Sequence, residues 1–291
     1  MSKNKLLTPE SVTGKQKTKP IMVVIYIVCI FLALLSLFPF ILMFMNATRA
    51  SADVQANPIA ILPGGSLAEN YKNIMSRDFN PYTGFLNSII VSVFSTILTC
   101  YFSTLTAYAI VVYDWKLKHG FYAFILAIMM VPNQVVSIGF FKLVFDIGLN
   151  NSLIPLIIPS IQAPMTVFFM HQYMVPSLSM EIIQSARIDG GKEFYIFNKI
   201  ALPIMKPAIA TQAIFAFVAS WNNLFMPTIL IQDMPKYTMP MMISLMKGDF
   251  YKTNYGAVYL GLSMTVLPLF VVYFALSKYI IAGVSLGSVK G

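Results

Sequence analysis

Long runs without a charged residue divide the chain, and the first of them extends from residue 20 to residue 47. A helix needs about 20 mainly apolar residues to cross the hydrocarbon core of a bilayer. Further runs of this kind cover roughly 85–112, 120–145, 152–174, 207–230 and 255–276. Because backbone polar groups in lipid must be satisfied within the segment, such runs fold as helices. The sequence therefore predicts an all-α membrane protein with six transmembrane helices.

The composition supports the membrane class. Hydrophobic residues make up 57% of the chain and charged residues only 11%, whereas soluble domains carry about 25% charged residues. The two cysteines, Cys29 and Cys100, fall inside predicted helices, so they give neither a disulfide framework nor metal-ligand spacing. We interpret both as buried small hydrophobic residues, and we expect no metal site.

The distribution of Lys and Arg predicts the orientation. Most of these 20 residues fall in alternate connecting segments that include the N-terminus, and cytoplasmic segments carry such an excess. We therefore expect a cytoplasmic tail at 1–19, a transmembrane domain at 20–283 and a cytoplasmic tail at 284–291. The net charge of +9 follows from this bias, so it does not indicate nucleic-acid binding. The first apolar run is too long for a secretory signal, which predicts an uncleaved helix.

A charged segment, residues 181–191, interrupts the apolar sequence between the fourth and fifth predicted helices. Ser179 is placed to cap a short helix, with Glu181 in its first turn complementing the helix dipole. Gly190-Gly191 should end that helix, because glycine adopts the left-handed conformation without a Cβ penalty.

Two short amphipathic helices are predicted around this glycine corner. In the first, the shared apolar face consists of Ile182, Ile183 and Ala186. The second covers about 192–201, and its apolar stripe consists of Phe194, Phe197 and Ala201. Pro203 and Pro207 should end the second helix and restart the chain into the fifth span. An interfacial helix on lipid and an ordinary loop are alternatives, but neither explains a tight glycine corner that ends in proline.

This segment resembles the cytoplasmic EAA loop of permease subunits in binding-protein-dependent ABC importers. The family pattern is Glu-Ala-Ala, three residues, Gly, nine residues, Ile, one residue and Leu-Pro. The matching positions are occupied by Gln184-Ser185-Ala186, Gly190, Ile200, Leu202 and Pro203. The form Ala186-Arg187-Ile188-Asp189-Gly190 resembles the carbohydrate-uptake branch, in particular the shorter permease of maltose-type importers. Similarity extends to Glu69-Asn70-Tyr71, Asn87-Ser88, Trp221-Asn222-Asn223 and the tail 282–291.

The resemblance implies that residues 176–206 form a loop that couples to an ATPase. Its expected contact residues are Glu181, Gln184, Ser185, Ala186, Asp189, Gly190, Ile200, Leu202 and Pro203. In the family, the acidic residue of the motif is thought to pair with a basic residue of the ATPase. Gln184 replaces it here and brings no charge-assisted contact, and Ser185 replaces the first Ala. Whether Glu181, one helical turn earlier, takes over that contact is open.

The resemblance also implies a set of partners and a location. These are a cytosolic ABC ATPase dimer, a second and usually longer permease in a hetero-dimer, an extracytoplasmic solute-binding protein and membrane lipid, in a bacterial or archaeal cell membrane. The chain contains no G-x-x-x-x-G-K-[ST] motif, so ATP and Mg²⁺ belong to the partner ATPase and this chain binds no cofactor. The expected function is that of a sugar (oligosaccharide) permease subunit.

Amide side chains at mid-depth of the predicted helices are the candidates for a solute pathway. They are Asn133 and Gln134 after Pro132, Gln162, and Asn222 and Asn223 beside Trp221. Polar groups inside a membrane need partners, and they often mark a pathway. Hydrogen bonding between helices around a proline kink is an equally good interpretation.

Other functional classes fit less well. Residues 283–287 match G-x-S-x-G, but no strand precedes them and both histidines, His119 and His171, lie upstream. We therefore expect no catalytic residue and no enzymatic activity. A secondary transporter often carries ionisable residues at mid-membrane, and no Asp or Glu lies in the middle of a predicted span. A permease for peptides or polyamines stays the main alternative.

Overall fold

The computed structural model describes residues 20–76, 80–247 and 253–287, apart from the side chains of Pro20, Asn133 and residues 280–287. These residues form helices, and no β-strand occurs among them. The predicted tail 1–19 and the last four residues of the predicted C-terminal tail lie outside the described residues. The final helix extends to Gly287, beyond the start of that predicted tail.

The helices follow one another in a simple order. The first six are α1 (Pro20–Ala47), α2 (Ser51–Ala56), α3 (Leu67–Met75), α4 (Pro81–Val112), α5 (Lys118–Ile128) and α6 (Asn133–Asp146). Next come α7 (Ile154–Ile157), a 3₁₀ turn (Ile158–Ile161), α8 (Pro164–Ser177), α9 (Met180–Ile188), α10 (Glu193–Ile196), a π-helical turn (Phe197–Ala201) and α11 (Leu202–Ile204). The last are α12 (Lys206–Trp221), α13 (Phe225–Leu230), a 3₁₀ turn (Met234–Lys236), α14 (Met239–Met246) and α15 (Tyr255–Gly287).

Within the described chain, four segments are long and apolar enough to cross a membrane. They are Ile21–Ala47, Pro81–Val112, Ile154–Ser177 and Tyr255–Tyr279. A fifth arises if Glu193–Ile204 and Lys206–Trp221, which meet at 80°, are taken together. The predicted span 120–145 is divided between α5 and α6 next to Pro132, because proline lacks the N–H that a continuous helix needs. The all-α membrane class is confirmed, whereas the count of six spans stays a prediction.

Helix α4 lies at the centre and packs against both α8 and α12. Its buried face carries small polar residues, which allow neighbouring backbones to approach closely: Ser88, Ser92, Ser95, Thr99, Ser103 and Thr104. The Thr99 hydroxyl donates to the Ser160 carbonyl at 2.8 Å, and the Ser95 hydroxyl donates to the Leu156 carbonyl at 3.3 Å. These bonds attach the 154–161 segment to the middle of α4.

The residues after α1 form a compact cap. The Asn70 side chain is buried and its amide nitrogen donates to the carbonyls of Ala47 and Arg49, both at 2.9 Å. The Arg49 guanidinium donates to the Asn57 and Asp53 carbonyls at 2.6 and 2.9 Å. Gly256 at the start of α15 lies directly against Arg49 and Asn70. Asn70 therefore joins the first and last long helices.

The two cysteines differ in their surroundings. Cys100 is buried in α4, as predicted, but Cys29 is exposed on α1. Nearly all large side chains from Ile21 to Ile41 are exposed, because α1 packs mainly against α15. Such an apolar surface is suited to lipid or to another membrane subunit.

Candidate functional site

The first helix of the 176–206 loop begins and ends as the sequence predicts. The Ser179 hydroxyl accepts a hydrogen bond from the Glu181 backbone N–H at 3.2 Å, which caps α9. Gly190 has a φ of +81°. Its N–H donates to the Arg187 carbonyl at 3.0 Å, and the Gly191 N–H donates to the Ala186 carbonyl at 2.9 Å. This pair of bonds is a Schellman motif, which satisfies two carbonyls that the end of the helix leaves free.

The second arm of the loop differs from the prediction. Its helical backbone passes through a π-helical turn, continues beyond Pro203 and ends only at Met205. Pro203 lies in the first turn of α11, where its missing N–H does not interrupt the backbone bonds. The π-helical turn joins α10 to α11, and α12 begins at Lys206.

A buried cluster holds the loop against the long helices. From the loop it contains Ile183, Ile196, Phe197, Ala201 and Met205, and from the rest of the chain Ala107, Tyr108, Val112, Met170, Met174, Leu178 and Ala208. The Phe197 ring lies 5.3 Å from the Tyr108 ring and 5.6 Å from the Tyr101 ring, between centroids. The loop is therefore packed onto α4 and α8 as a folded element.

The apolar faces predicted for the two short helices of the loop were both wrong in part. Ile182 is 46% exposed and Phe194 is 69% exposed, whereas Ile183 and Phe197 are buried. Adjacent residues on a helix are rotated by about 100°, so α9 buries Ile183 and turns Ile182 outward. Phe194 lies in the first turn after the glycine corner, where only Ile196 and Phe197 reach the buried cluster.

The expected contact residues lie mainly on the outer face of the loop. Glu181, Gln184, Ser185, Asp189, Gly190 and Pro203 are exposed, whereas Ala186, Ile200 and Leu202 are half-buried. Two large apolar residues that the sequence did not single out share this exposure, Ile188 at 86% and Tyr195 at 58%. Exposed apolar groups between polar ones are typical of interaction surfaces.

An ionic cluster that the sequence did not predict joins this loop to α4. Arg187 Nε donates to Glu193 Oε1 at 2.7 Å, and Arg187 Nη2 donates to Glu193 Oε2 at 3.2 Å. The Tyr113 hydroxyl donates to Glu193 Oε2 at 2.6 Å, and the Arg187 guanidinium lies 5.5 Å from the Tyr113 ring centroid. We call Tyr113, Arg187 and Glu193 the Arg–Glu–Tyr cluster.

The cluster changes the pKa of its members in the direction that strengthens it. Hydrogen bonds from Arg187 and then from Tyr113 hold the pKa of Glu193 below its usual range. Burial, followed by the bond to Glu193, raises the pKa of Tyr113 to about 12. Glu193 therefore stays ionised and Tyr113 stays a proton donor around neutral pH.

A cavity of ≈640 Å³ lies between α5, α6, the 154–161 segment, α8 and α13. Three of the pathway candidates, Gln134, Gln162 and Asn223, line it together with Ser137 and Ser160. The remaining lining is apolar, and none of the described residues that form it is ionisable. The structure thus brings together amides that lie far apart in the sequence.

The other pathway candidates lie elsewhere. Trp221 and Asn222 line a second space of ≈250 Å³ near Lys247. Trp221 is buried, and its indole N–H donates to the Thr265 carbonyl at 3.0 Å, so this polar group is satisfied within the protein. The side chain of Asn133 lies outside the described residues.

Comparison with known proteins gives a consistent result. Residues 100–286 match the family described as binding-protein-dependent transport system inner membrane component. The arabinooligosaccharides transport system permease protein AraQ of Halalkalibacterium halodurans is 32% identical over 280 residues, which cover 95% of this chain and 100% of that protein. The lactose transport system permease protein LacG of Rhizobium radiobacter is 30% identical, over 92% of this chain and 96% of that protein.

A solved structure shares the fold. A chain from the crystal structure of a bacterial ABC transporter involved in the import of the acidic polysaccharide alginate matches with a TM-score of 0.75, at 23% identity, over 89% of this chain and 96% of that chain. The family match includes the 176–206 loop and all the residues that line the amide-lined cavity. The chain therefore belongs to the family of inner membrane components of binding-protein-dependent transport systems.

Proposed function

We propose that this chain is the sugar-conducting permease subunit of an ABC importer, and that its cargo is a neutral oligosaccharide. The cavity carries the proposal, because its polar lining consists of amides and hydroxyls without an ionisable group. Such groups donate and accept hydrogen bonds, as sugar hydroxyls do. A polyamine or a peptide would instead bring charges that a neutral, partly apolar site leaves unpaired at high cost.

The relatives support the same class of cargo. Those compared above are named for arabinooligosaccharides and for lactose, which are neutral sugars. The alginate importer supports only the fold, so its acidic cargo does not bear on the cavity of this chain.

We further propose six membrane spans with both termini in the cytoplasm. Two of these spans would be broken helices, α5 followed by α6 and α12 followed by α13. Broken helices are tolerated at membrane depth where they line a cavity, and both pairs contribute residues to the ≈640 Å³ cavity or to its neighbour. The distribution of Lys and Arg supports a cytoplasmic position for the 176–206 loop.

In this arrangement, the outer face of the loop is the contact surface for a cytosolic ATPase. Ile188, Phe194 and Tyr195 supply exposed apolar area, and Glu181 and Asp189 supply charge around it. A dimer of the ATPase would bind ATP and Mg²⁺ and would move two such loops as it closes. One loop belongs to this chain and the other to a second permease, and an extracytoplasmic binding protein would deliver the sugar.

Reconstitution of the complete transporter in liposomes tests the proposal. We expect ATP-dependent uptake of a neutral oligosaccharide, and we expect no competition from a polyamine or an oligopeptide. Gln162→Leu should raise the KM for uptake, because a hydrogen-bonding group of the cavity is lost. Gln172→Leu is the matched control, because Gln172 lies on α8 outside the cavity lining.

Three results would refute the proposal. Competition by a polyamine would assign a charged cargo, and equal KM values for the two variants would exclude the cavity as the pathway. Uptake that continues without the ATPase would indicate a secondary transporter.

A further inference from the structure

Helix α4 is attached at one end to the 176–206 loop and near its middle to the wall of the cavity. Tyr113, the residue that follows α4, donates to Glu193 at 2.6 Å. Thr99 and Ser95 donate to the carbonyls of Ser160 and Leu156, and both of these residues line the cavity. A continuous path of hydrogen bonds and helix therefore leads from the loop to the cavity.

The intervening part of α4 is suited to transmit movement. It contains neither proline nor glycine between Phe85 and Val112, and these residues are the common causes of kinks. The distance from Thr99 to Tyr113 is roughly 20 Å, at 1.5 Å per residue. Tyr113 directly follows this helix, so a displacement of Tyr113 would pull on the end of α4 and would pass through it to Thr99.

The attachment of α9 has an apolar part and a polar part on the same face. Ile183 is buried in the cluster beneath the loop, and Arg187 follows it by one helical turn. Burial of apolar surface is non-directional, so Ile183 alone would let α9 slide or rotate. The two parallel bonds from Arg187 to Glu193 are directional and hold α9 in one orientation.

We propose that the Arg–Glu–Tyr cluster is the link through which α9 moves α4 and, with it, the wall of the cavity. Tyr113 is then a positioning residue for transport, since it does not line the cavity and acts through Glu193. This inference rests on the proposed function, in which an ATPase displaces the loop. It adds the route by which that displacement reaches the cargo.

The apolar packing of the loop on α4 is the competing route. Tyr101 on α4 packs edge-on against Phe197, and its hydroxyl donates to the neutral amide of Asn198 at 3.3 Å. Tyr101 and Tyr113 are therefore a matched pair for comparison, because each donates one hydroxyl hydrogen bond to a residue of the loop. Only Tyr113 donates to a charged group.

The test compares Tyr113→Phe with Tyr101→Phe in the complete transporter, reconstituted in liposomes with its ATPase, second permease and binding protein. The readout is the number of cargo molecules taken up per ATP hydrolysed. For Tyr113→Phe we expect this ratio to fall about fivefold while ATP hydrolysis and subunit copurification persist, in the range of energetic coupling between linked sites. For Tyr101→Phe we expect the ratio of the unchanged protein.

Either of two results would overturn the inference. A Tyr113→Phe transporter with an unchanged ratio would show that the cluster carries no movement. An equal fall in both variants would assign the movement to general packing of the loop on α4.

A second variant keeps the test decisive if Tyr113→Phe does not assemble. Glu193→Gln preserves the shape of the carboxylate and can still accept from Tyr113, but it removes the charge that holds Arg187. We expect it to lower the ratio as well, and an unchanged ratio would contradict the link. A complex of unchanged sequence that hydrolyses no ATP in response to cargo would refute the proposed function instead.

Discussion

The two adjacent glycines at the corner between α9 and α10 should respond to substitution for different reasons. Gly190 has a φ of +81°, and a Cβ added there would meet no heavy atom within 4 Å. Its constraint is therefore the backbone conformation alone. Gly191 lacks a positive φ, but an added Cβ would lie 2.8 Å from the Ala186 carbonyl oxygen and 3.2 Å from Ile196 Cγ1. Its constraint is the close packing of the corner.

The cost at Gly190 follows from its conformation. A residue with a Cβ in the left-handed region costs roughly 1–2 kcal/mol, a β-branched residue costs more, and Asn costs less. A change of one or two kcal/mol shifts an equilibrium by a factor of about 5–30. Gly190→Ala should therefore increase opening of the corner by about that factor, Gly190→Val by more and Gly190→Asn by little.

Hydrogen exchange of the amides in residues 180–196, followed by mass spectrometry, measures this opening directly. We expect exchange to be fastest in Gly190→Val, slower in Gly190→Ala, slower again in Gly190→Asn and slowest in the unchanged protein. We also expect Gly190→Val to lose the coupling of ATP hydrolysis to transport. Gly191→Ala should also exchange faster, because the helix end must shift to admit the methyl group. Equal exchange for Gly190→Asn and Gly190→Val, or normal coupling in Gly190→Val, would refute the reasoning.

Three further outcomes can be measured. Gly256→Ala should lower the free energy of unfolding in detergent by roughly 1–3 kcal/mol, because the added methyl group would clash with Asn70. Gly261→Ala should change this free energy little, since its nearest contact would be an ordinary 3.5 Å. The pKa of Glu193 is depressed, so ionised Glu193 stabilises the loop fully above the ordinary Glu pKa, and this stabilisation is lost as the pH falls through the folded-state pKa. A spin label on the outer face of α9 should therefore gain mobility only in that acidic range. A change of mobility near neutral pH would contradict this direction. Gln184→Glu should raise the affinity for the ATPase about twofold to fivefold, as an exposed ion pair does, and this gain should be lost at high salt. An unchanged affinity at low salt would show that no cation of the ATPase faces this position.

Local signals in the sequence predict the start and end of α9. Ser179 and Gly190 act within a few residues of their own positions, so a cap and a left-handed corner can be recognised without tertiary information. The break next to Pro132 has the same local origin. By contrast, the split of exposed Ile182 from buried Ile183 depends on what lies beneath the helix, and periodicity alone does not determine it.

Contacts between distant residues account for what the sequence did not predict. Tyr113 and Glu193 are separated by the whole of α5 to α9, and no spacing rule connects them. The amides proposed for the solute pathway illustrate the same limit. Sequence identified Gln134, Gln162 and Asn223 as polar groups in apolar surroundings, but only the fold places them around one cavity, and it separates them from Trp221.

The pairing of α1 with α15 has a consequence for biogenesis. Helix α1 is synthesised before α15 and packs mainly against it, and Phe40 meets Phe270 with ring centroids 6.1 Å apart. Throughout synthesis of the intervening residues, α1 therefore stands in the bilayer without its principal neighbour. A nascent chain that stalls before α15 would leave this helix open to membrane chaperones and proteases. The packing of α1 is thus completed only once α15 has entered the bilayer.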